Sequence, residues 1–418
     1  MSHFLFAAIG SFGDLHPAMA MAREAVRQGH RATVASAAGY EEKIRSAGLG
    51  FRPLRPEIPR SDAELAYFFD LRKGPERLMR NLIFPNLPDT HADLCAACAD
   101  ADLLVAAELV YTASIAAGAR GIPWVNYVLA PNSLFSAIDP PVLANEPWFH
   151  AFRHLGAWPH RLAYLFGEWL ADRWAASYHA LRQEKGLPRG RNPIFQGKHS
   201  PRGTLVLFPS AFAPPQRDWP AGCRQTNFPF YEHGRLDPRL EEFLSAGEPP
   251  VVFTLGSIIA HFEPRFYEVA AAAAEQLGIR AVLLTGRNPR IPAVDPERIF
   301  AIDYAPLSQL LAHSRAVVHA GGIGTTAETL RAGLPAVIVP FSFDQPDNAS
   351  RVRRLGAGVV LDRRRISVRS LAAAVETVLK KAALRDSARQ LAREIKSAPD
   401  LAESVVLLQS LARDPARG

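Results

Sequence analysis

The sequence contains very few cysteines, three among 418 residues. So few thiols cannot build the disulfide framework of a small secreted domain, which excludes that class of protein. Cys95 and Cys98 have the spacing of one half of a zinc site, but Cys223 is the only other cysteine and cannot complete it. The surrounding LCAACADADL is typical of a helix with small buried side chains, so we expect neither a metal nor a redox role there.

The sequence also lacks long apolar segments. No run reaches the roughly 20 residues of a membrane-spanning helix, because charged residues or prolines interrupt the longest candidates. At the start, residues 4–9 form an apolar run of only six residues, and His3 precedes it where a signal peptide would carry basic residues. These features predict a soluble cytoplasmic protein.

The length and the charge of the chain bound its organisation. At 418 residues it exceeds what one hydrophobic core usually holds, so we expect two domains of about 200 residues each. The formal net charge of +7 favours anionic ligands such as nucleotides, or a phospholipid surface. No signature of an RNA- or DNA-binding module is present, so nucleic acid is not an expected partner.

The clearest pattern lies in residues 317–349, which read VVHAGGIGTTAETLRAGLPAVIVPFSFDQPDNA. A β-branched run ends at His319, three nearby glycines form a loop, and residues 325–328 open a helix. A second buried run begins at Ala336, after a glycine ends the helix. Strand, helix and strand make one right-handed βαβ unit, with the glycine loop at the carboxyl end of a parallel sheet.

The glycines of this loop are Gly321, Gly322 and Gly324. Glycine lets backbone N–H groups approach a ligand, and a helix N-terminus carries about half a positive charge, so a phosphate is the natural occupant. The spacing matches neither the dinucleotide fingerprint nor the phosphate-loop pattern, which leaves an ordinary strand-to-helix turn as the alternative. Asp344 and Gln345 favour a ligand, because neighbouring hydrogen-bonding side chains suit sugar hydroxyls.

A second βαβ unit begins the chain. Residues 4–9 form a short buried strand, and residues 10–17, GSFGDLHP, form its loop. The pattern then predicts a helix over residues 18–27, with Pro17 near its first position, and a strand over residues 31–36.

These motifs together carry a family resemblance. The segments HAGGIGTTAE, AGLPAVIVPF and FDQPDNA, with RDWP and TNFPF upstream, resemble nucleotide-sugar glycosyltransferases of the family 1 UDP-glycosyltransferase superfamily. Within that group they are most similar to bacterial rhamnosyltransferases of rhamnolipid synthesis and to antibiotic and sterol glycosyltransferases. The resemblance implies an α/β protein with the GT-B fold, in which two Rossmann-like, doubly wound domains face each other across a cleft.

The resemblance also implies the domain boundaries. Residues 1–222 would form an acceptor-binding domain and residues 223–395 a nucleotide-sugar-binding domain, with the proline-dense stretch 209–220 leading to the linker. Residues 396–418 would form a C-terminal helix that crosses back to the N-terminal domain. A peripheral membrane contact through this amphipathic helix is the alternative.

The implied reaction is an inverting transfer of a hexose or deoxyhexose from a UDP- or dTDP-sugar to a hydroxyl of a hydrophobic small molecule or lipid. No metal and no cofactor besides the donor are expected.

In the family, the residue after the glycine of the first loop is the acceptor-activating base, and Asp14 stands there. A carboxylate can accept that proton. His16 is the rival base, since its ordinary pKa lies nearer neutrality. Asp14 as a helix cap is the structural alternative.

Ten residues correspond to the family's donor site. Thr325 and the glycines would contact the diphosphate, Glu328 the ribose, and Tyr304 the nucleobase. The ten residues are Ser257, Tyr304, Leu307, His319, Gly322, Gly324, Thr325, Glu328, Asp344 and Gln345.

Two departures from the family pattern keep other functions open. Ala320 follows His319 where close relatives have a second histidine, and Ala107, next to Glu108, stands where relatives with a histidine base place an acid. A non-catalytic partner that retained the fold is therefore one alternative, and a nucleotide-sugar epimerase is another.

Eight aromatic residues would line an apolar acceptor cleft or pack under long loops. They are Tyr67, Phe68, Phe69, Phe84, Phe135, Trp148, Phe149 and Trp158.

Overall fold

A computed structural model describes the chain except for residues 58, 60, 69, 71, 72, 145, 233, 261, 262, 287–292 and 414–418, and except for the side chains of residues 62, 147, 257, 258, 264 and 413. Phe69 and the side chain of Ser257 therefore lie outside the described part. The chain divides into two compact units. Unit 1 comprises Met1–Pro141, Glu146–Tyr231 and Ala398–Gly418, and unit 2 comprises Val142–Asn145 and Glu232–Ser397.

Both units alternate short strands with helices. The strands among the described residues are β1 His3–Ala7, β2 Arg31–Ser36, β3 Gly50–Pro53, β4 Leu103–Ala106, β5 Trp124–Val128, β6 Thr204–Val206, β7 Cys223–Gln225, β8 Val251–Thr254, β9 Ala281–Leu284, β10 Ile299–Ile302, β11 Ala316–His319, β12 Ala336–Ile338 and β13 Gly358–Val360. The α-helices among them are α1 Phe12–Arg27, α2 Glu41–Ser46, α3 Asp62–Phe68, α4 Gly74–Arg77, α5 Leu87–Ala97, α6 Ala113–Arg120, α7 Pro147–Ala151, α8 Trp158–Asp172, α9 Ala176–Glu184, α10 Pro238–Ser245, α11 Gly256–Ile259, α12 Pro264–Gln276, α13 Leu307–Ala312, α14 Ile323–Arg331, α15 Gln345–Arg354, α16 Val368–Lys380, α17 Ala382–Ser397 and α18 Leu401–Arg413.

Unit 1 is built on a parallel sheet with the strand order β3-β2-β1-β4-β5-β6-β7. The central strands β1 and β4 are buried along their whole length, as expected of a parallel sheet covered on both faces. The chain leaves β1 towards β2 on one side and reaches β4 on the other, so the strand order reverses at β1. Ligands of doubly wound proteins bind outside the carboxyl ends of the strands at such a reversal. The start of α1, which carries Asp14, occupies this position.

Unit 2 repeats the arrangement with the order β10-β9-β8-β11-β12-β13, again all parallel. Here the order reverses between β8 and β11. The last residue of β11, His319, pairs with Thr254 of β8 and with Ile338 of β12. The loop that begins at Ala320 and the turn that begins at Gly256 therefore leave the sheet side by side.

Helix α1 begins earlier than the sequence pattern predicts. It starts at Phe12 and not at residue 18, so Pro17 lies inside the helix and not near its first position. The cause is a capping box: the Ser11 hydroxyl accepts the Gly13 N–H at 3.2 Å, and the Asp14 carboxylate accepts the Ser11 N–H at 2.9 Å. The two reciprocal bonds start the helix, and Pro17 removes one later backbone bond without ending it.

Helices α8 and α9 are separated by a tight turn, in which the N–H groups of Trp174 and Ala175 donate to the carbonyls three residues before them. The C-terminal helix α18 belongs to unit 1 and packs against α1 and β4, with Val405 and Leu408 fully buried. Within the described residues, every helix is too short or too polar to cross a membrane.

Candidate active site

The glycine loop of unit 2 contains glycines of two kinds: one is required by the fold, and two leave open space. Gly321 has a φ of +93°, and a Cβ there would lie 2.9 Å from Ile338 Cγ2 and 3.1 Å from the Gln345 carbonyl oxygen. The fold itself therefore requires glycine at this position. A Cβ at Gly322 or Gly324 would meet nothing within 4 Å. These two glycines leave open space at the start of α14, where the N-cap residue, Gly322, offers no side chain to the first N–H groups.

Asp344 and Asn348 hold this loop in place. Asp344 Oδ2 accepts the Ile323 N–H at 3.0 Å and the Asn348 side-chain amide at 2.8 Å. The same amide donates to the Gly321 carbonyl at 2.9 Å. Burial raises the pKa of the Asp344 carboxyl to about 6, although these hydrogen bonds oppose the shift. Sequence reasoning missed Asn348, whose signal was its spacing of four residues from Asp344 on one helix face.

Gln345 fixes the turn that follows β12. Its Oε1 accepts the N–H groups of Phe341 at 2.9 Å and Ser342 at 3.2 Å. Phe343 within this turn has a φ of +55°, a left-handed conformation that is uncommon for a bulky residue. The Gln345 side chain therefore contributes to the shape of the loop as well as carrying an amide N–H₂ group.

His319 is buried and uncharged. Its Nδ1 accepts the Gly321 N–H at 3.1 Å, so the ring proton lies on Nε2. Burial lowers the pKa of the imidazole to about 3. Nε2 has no hydrogen-bond partner within the described structure, and the same is true of the buried Thr326 Oγ1 and Asn348 Oδ1. Buried polar atoms are normally paired, so this cluster is unusual.

Glu328 lies one turn into α14 and is mostly buried. Its carboxylate is 2.7 Å from the Arg331 guanidinium, which also pairs with Glu232 at 2.9 Å. Burial raises the pKa of Glu328 against the opposing effect of Arg331. Thr325, on the preceding turn, is partly exposed.

The remaining predicted donor residues follow β10 and β8, the two strands on either side of β9. Tyr304 follows β10 and exposes 56% of its surface, which leaves the ring face accessible. Leu307 begins α13 and packs against the core of unit 2. Ser257 lies in the short helix α11 directly after β8. Gln309, which sequence reasoning missed, bonds to the backbone of Gly234 and Leu236.

Asp14 occupies the corresponding place in unit 1. It is the third residue of α1, and its carboxylate lies so close to Gly10 that a Cβ at Gly10 would collide with it. Gly10 has a φ of +138°, so glycine is required there on both counts. Tyr127, on β5, has a fully buried hydroxyl without a hydrogen-bond partner in the described structure. Burial first, and then the Asp14 carboxylate, raise the pKa of Tyr127.

His16 points elsewhere. Its ring stacks between Phe12, at 5.1 Å between ring centroids, and Tyr231, at 4.9 Å. Side chains two residues apart on a helix lie on different faces, so Asp14 and His16 remain separate candidates for the base. Glu108, the acid next to Ala107, accepts hydrogen bonds from the Ser133 hydroxyl and from the ammonium of the buried Lys198.

The surroundings of Cys95 and Cys98 bear on whether the pair suits a metal ion. Cys95 Sγ lies 3.6 Å from His91 Nε2, and Cys98 is buried. Burial raises the pKa of both thiols, to about 12 for Cys98, which disfavours the thiolate that binds metals. Within the described residues, no group of three His, Cys, Asp or Glu side chains is placed to hold a metal ion.

Comparison with known proteins identifies the family. A model of the glycosyltransferase family 28 N-terminal domain matches residues 4–135, and one of the erythromycin biosynthesis protein CIII-like C-terminal domain matches residues 277–411. The chain is 31% identical over 420 residues to O-mycaminosyltylonolide 6-deoxyallosyltransferase of Streptomyces fradiae, covering 97% of this chain and 96% of that protein. It therefore belongs to the family 1 UDP-glycosyltransferase superfamily and is a glycosyltransferase, as the sequence motifs predict.

More distant relatives and solved structures of similar fold are also named as glycosyltransferases. The chain is 28% identical to a sterol 3-beta-glucosyltransferase of Leptosphaeria maculans, with 87% of this chain matching 26% of that longer protein. Among solved structures, the glycosyltransferase of kitacinnamycin superposes with a TM-score of 0.74 at 21% identity, covering 98% of this chain and 99% of the other. The spinosyn rhamnosyltransferase SpnG, solved with thymidine diphosphate, gives a TM-score of 0.71 at 18% identity, covering 98% and 100%. These structures confirm the predicted GT-B fold.

Substitution of the loop glycines separates their two roles. Gly321→Ala is expected to lower the melting temperature, because the left-handed conformation costs about 1–2 kcal/mol and the new Cβ crowds Ile338. Gly324→Ala is expected to leave it unchanged or to raise it slightly, since alanine favours a helix over glycine by about 0.5–1 kcal/mol. Thermal unfolding followed by circular dichroism measures both. An equal loss in the two variants would contradict the assignment.

The raised pKa of Asp344 predicts a pH dependence of stability. The folded protein binds this proton more tightly than the unfolded chain, whose carboxyl has the usual value of 3.8. Its stabilising effect is therefore present at pH 4 and is lost as the pH rises to about 6. Urea unfolding between pH 4 and 7 should show that Asp344→Asn gains stability relative to the wild type over this range.

The exposed helix cap Asp237 provides the control for this measurement. Its pKa is lowered from 3.8 by the Arg239 N–H, so the stability that it adds is lost only at pH values below this range, and Asp237→Asn should leave the profile between pH 4 and 7 nearly unchanged. If the wild type and Asp344→Asn gave parallel profiles, the raised pKa of Asp344 would be refuted.

Proposed function

We propose that this protein transfers a hexose or deoxyhexose from a UDP- or dTDP-sugar to a hydroxyl of a hydrophobic small molecule or lipid. The transfer inverts the anomeric carbon and uses no metal ion. The observation that carries the proposal is the open space at Gly322 and Gly324 beside the start of α14, where Asp344 bonds the Ile323 N–H and no N-cap side chain bonds the N–H groups that follow. Neither glycine is needed by the fold, so their role is to admit a ligand.

The diphosphate of the donor would occupy this space. Backbone N–H groups at the start of α14 and the partial positive charge of the helix end suit an anion. The same donors stabilise the negative charge that develops on the diphosphate as the glycosidic bond breaks, an effect worth on the order of 3 kcal/mol per donor. Because these are backbone groups, the replacement of a histidine by Ala320 does not remove them. The Thr325 hydroxyl adds to this set, and Ser257 stays a candidate from the sequence.

The rest of the donor would lie against the neighbouring strand ends. The exposed ring of Tyr304 offers a stacking surface for the nucleobase, and Glu328 accepts a ribose hydroxyl. Asp344, with a pKa of about 6, is largely ionised at neutral pH and accepts a sugar hydroxyl. Gln345 has both hydrogen bonds to the loop on Oε1, so its side-chain N–H₂ donates to the sugar.

Asp14 would accept the proton of the acceptor hydroxyl. The hydroxyl oxygen then attacks the anomeric carbon from the face opposite the diphosphate, and the bond to the diphosphate breaks. The Ser11 N–H at 2.9 Å orients the carboxylate. Tyr127, buried beside Asp14, is a candidate to position it.

Two relatives support the substrate class. The Streptomyces fradiae protein is named for transfer of a 6-deoxyallosyl group to O-mycaminosyltylonolide, and the Leptosphaeria maculans protein for glucosylation of a sterol. Both names describe a hexose or deoxyhexose moved to a largely hydrophobic molecule. The thymidine diphosphate held by the spinosyn rhamnosyltransferase favours a dTDP-sugar, and the resemblance to the wider family leaves a UDP-sugar as the second choice.

The role of Asp14 is tested with Asp14→Asn. The amide oxygen can still accept the Ser11 N–H but cannot take a proton, so we expect transfer to fall by about 100-fold or more while nucleotide binding persists. Transfer is followed by mass spectrometry with UDP-glucose, dTDP-glucose and dTDP-rhamnose against sterols and macrolide aglycones. Ser11→Ala is the matched control: it removes the other half of the capping box, costs about 1 kcal/mol of stability, and should leave transfer nearly unchanged.

Three results would overturn parts of this proposal. Undiminished transfer by Asp14→Asn would remove Asp14 as the base. Conversion of the donor to an epimer without any acceptor would identify an epimerase. Failure of the wild type to bind any of the nucleotides would indicate a non-catalytic partner.

A further inference from the structure

Helix α8 of unit 1 is apolar on two opposite faces. One face is packed: His160 Nε2 contacts the Phe149 carbonyl at 2.8 Å, the Tyr164 hydroxyl donates to the Ser136 carbonyl at 3.1 Å, and Ala171 is buried. A helix on the surface of a globular protein normally shows polar residues on the side away from its packed stripe. Helix α8 does not follow this rule.

The opposite face, which we term the α8 outer face, carries large apolar side chains at the spacing of one helix stripe. Each of them is between 58% and 64% exposed. The residues are Trp158, Leu162, Leu165, Phe166 and Trp169. Exposed side chains on α7 and in the segment that follows it enlarge the apolar region. These are Trp148, Phe152 and Leu155. A contiguous exposed patch of this kind marks an interaction surface.

The charges around the patch indicate what covers it. Residues 146–191 contain seven lysines and arginines and four acids. Of these acids, Asp172 is paired with His179 and Arg189, and Glu146 accepts the Trp148 indole N–H. Arg173 lies over the Trp169 ring at 5.3 Å, and Arg153 and Arg161 are exposed. An apolar face with tryptophans, bordered by arginines, is the pattern of helices that lie in the interface of an anionic membrane.

A second copy of the chain fits less well. In a twofold symmetric contact the same surface meets itself, so the arginines of one copy would approach those of the other. Like charges across an interface oppose association, whereas anionic lipid headgroups attract the same arginines. The other amphipathic candidate, α18, buries Val405 and Leu408 inside unit 1.

We propose that the α8 outer face seats unit 1 on an anionic lipid bilayer. The helix lies parallel to the surface, its leucines and Phe166 enter the boundary between headgroups and acyl chains, and Trp158 and Trp169 remain at headgroup level. The arginines contact lipid phosphates. This inference does not depend on the proposed reaction, although it would bring unit 1 to the phase in which apolar molecules accumulate.

Vesicle flotation of the full chain tests the proposal. The wild type should float with vesicles of 70% phosphatidylcholine and 30% phosphatidylglycerol, bind weakly to pure phosphatidylcholine, and lose binding in 0.5 M salt. Leu165→Gln with Phe166→Gln should reduce the vesicle partition coefficient at least 10-fold, and Arg161→Gln with Arg173→Gln should reduce it about threefold or more. Val406→Gln is the matched control, because Val406 on α18 is 57% exposed and should change nothing.

Three outcomes would overturn it. The first is a wild type that does not bind the anionic vesicles. The second is a wild-type dimer in light scattering that Leu165→Gln with Phe166→Gln converts to a monomer, which would assign the face to a second copy. The third is unchanged vesicle binding by this variant together with loss of transfer to a water-soluble acceptor, which would assign the face to the acceptor. Circular dichroism confirms folding, since the substituted side chains are exposed.

Discussion

The turn of the backbone at Gly321 is the constraint on which the C-terminal half depends. At this residue the chain leaves the end of β11 with a positive φ, in a space bounded by Ile338 and the Gln345 carbonyl. Asn348 holds the Gly321 carbonyl and Asp344 at once, so the turn, the start of α14 and the start of α15 are fixed as a group. The open positions at Gly322 and Gly324 follow from that geometry, and with them the place for an anionic ligand.

The sequence predicts the parts of the fold that rest on local patterns. Continuous apolar runs mark the central strands, and the spacing of glycines and prolines marks the βαβ units, because both features reflect burial within one segment. Short edge strands escape detection. Strand β7, with the sequence Cys-Arg-Gln, has no apolar pattern, and it is a strand only because β6 supplies its hydrogen bonds. The sequence misplaces the start of α1, because Pro17 favours a helix start near residue 17, whereas the capping box of Ser11 and Asp14 sets the start at Phe12.

The candidate site likewise contains residues that local motifs predict and residues that they do not. Residues within the two loops, such as Asp14 and Asp344, are found from their motifs. Tyr127 and Lys198 are not, since the fold brings each to its neighbour from a segment distant in sequence: the Asp14 carboxylate acts on the pKa of Tyr127, and Lys198 pairs with Glu108. For the exposed face of α8, the sequence shows the residues but not their exposure. Its aromatic residues are visible in the sequence, but only their exposure distinguishes an interaction surface from a buried core.

The most direct test of the account is a calorimetric titration of the purified protein with UDP and with dTDP, in the presence of a metal chelator. We expect one of the two nucleotides to bind at a single site per chain, and we expect Gly324→Val, which fills the open space, to weaken that binding at least 10-fold without loss of folding. If neither nucleotide bound the wild type, or if Gly324→Val bound as tightly as the wild type, the assignment of the glycine loop to the donor diphosphate would be contradicted.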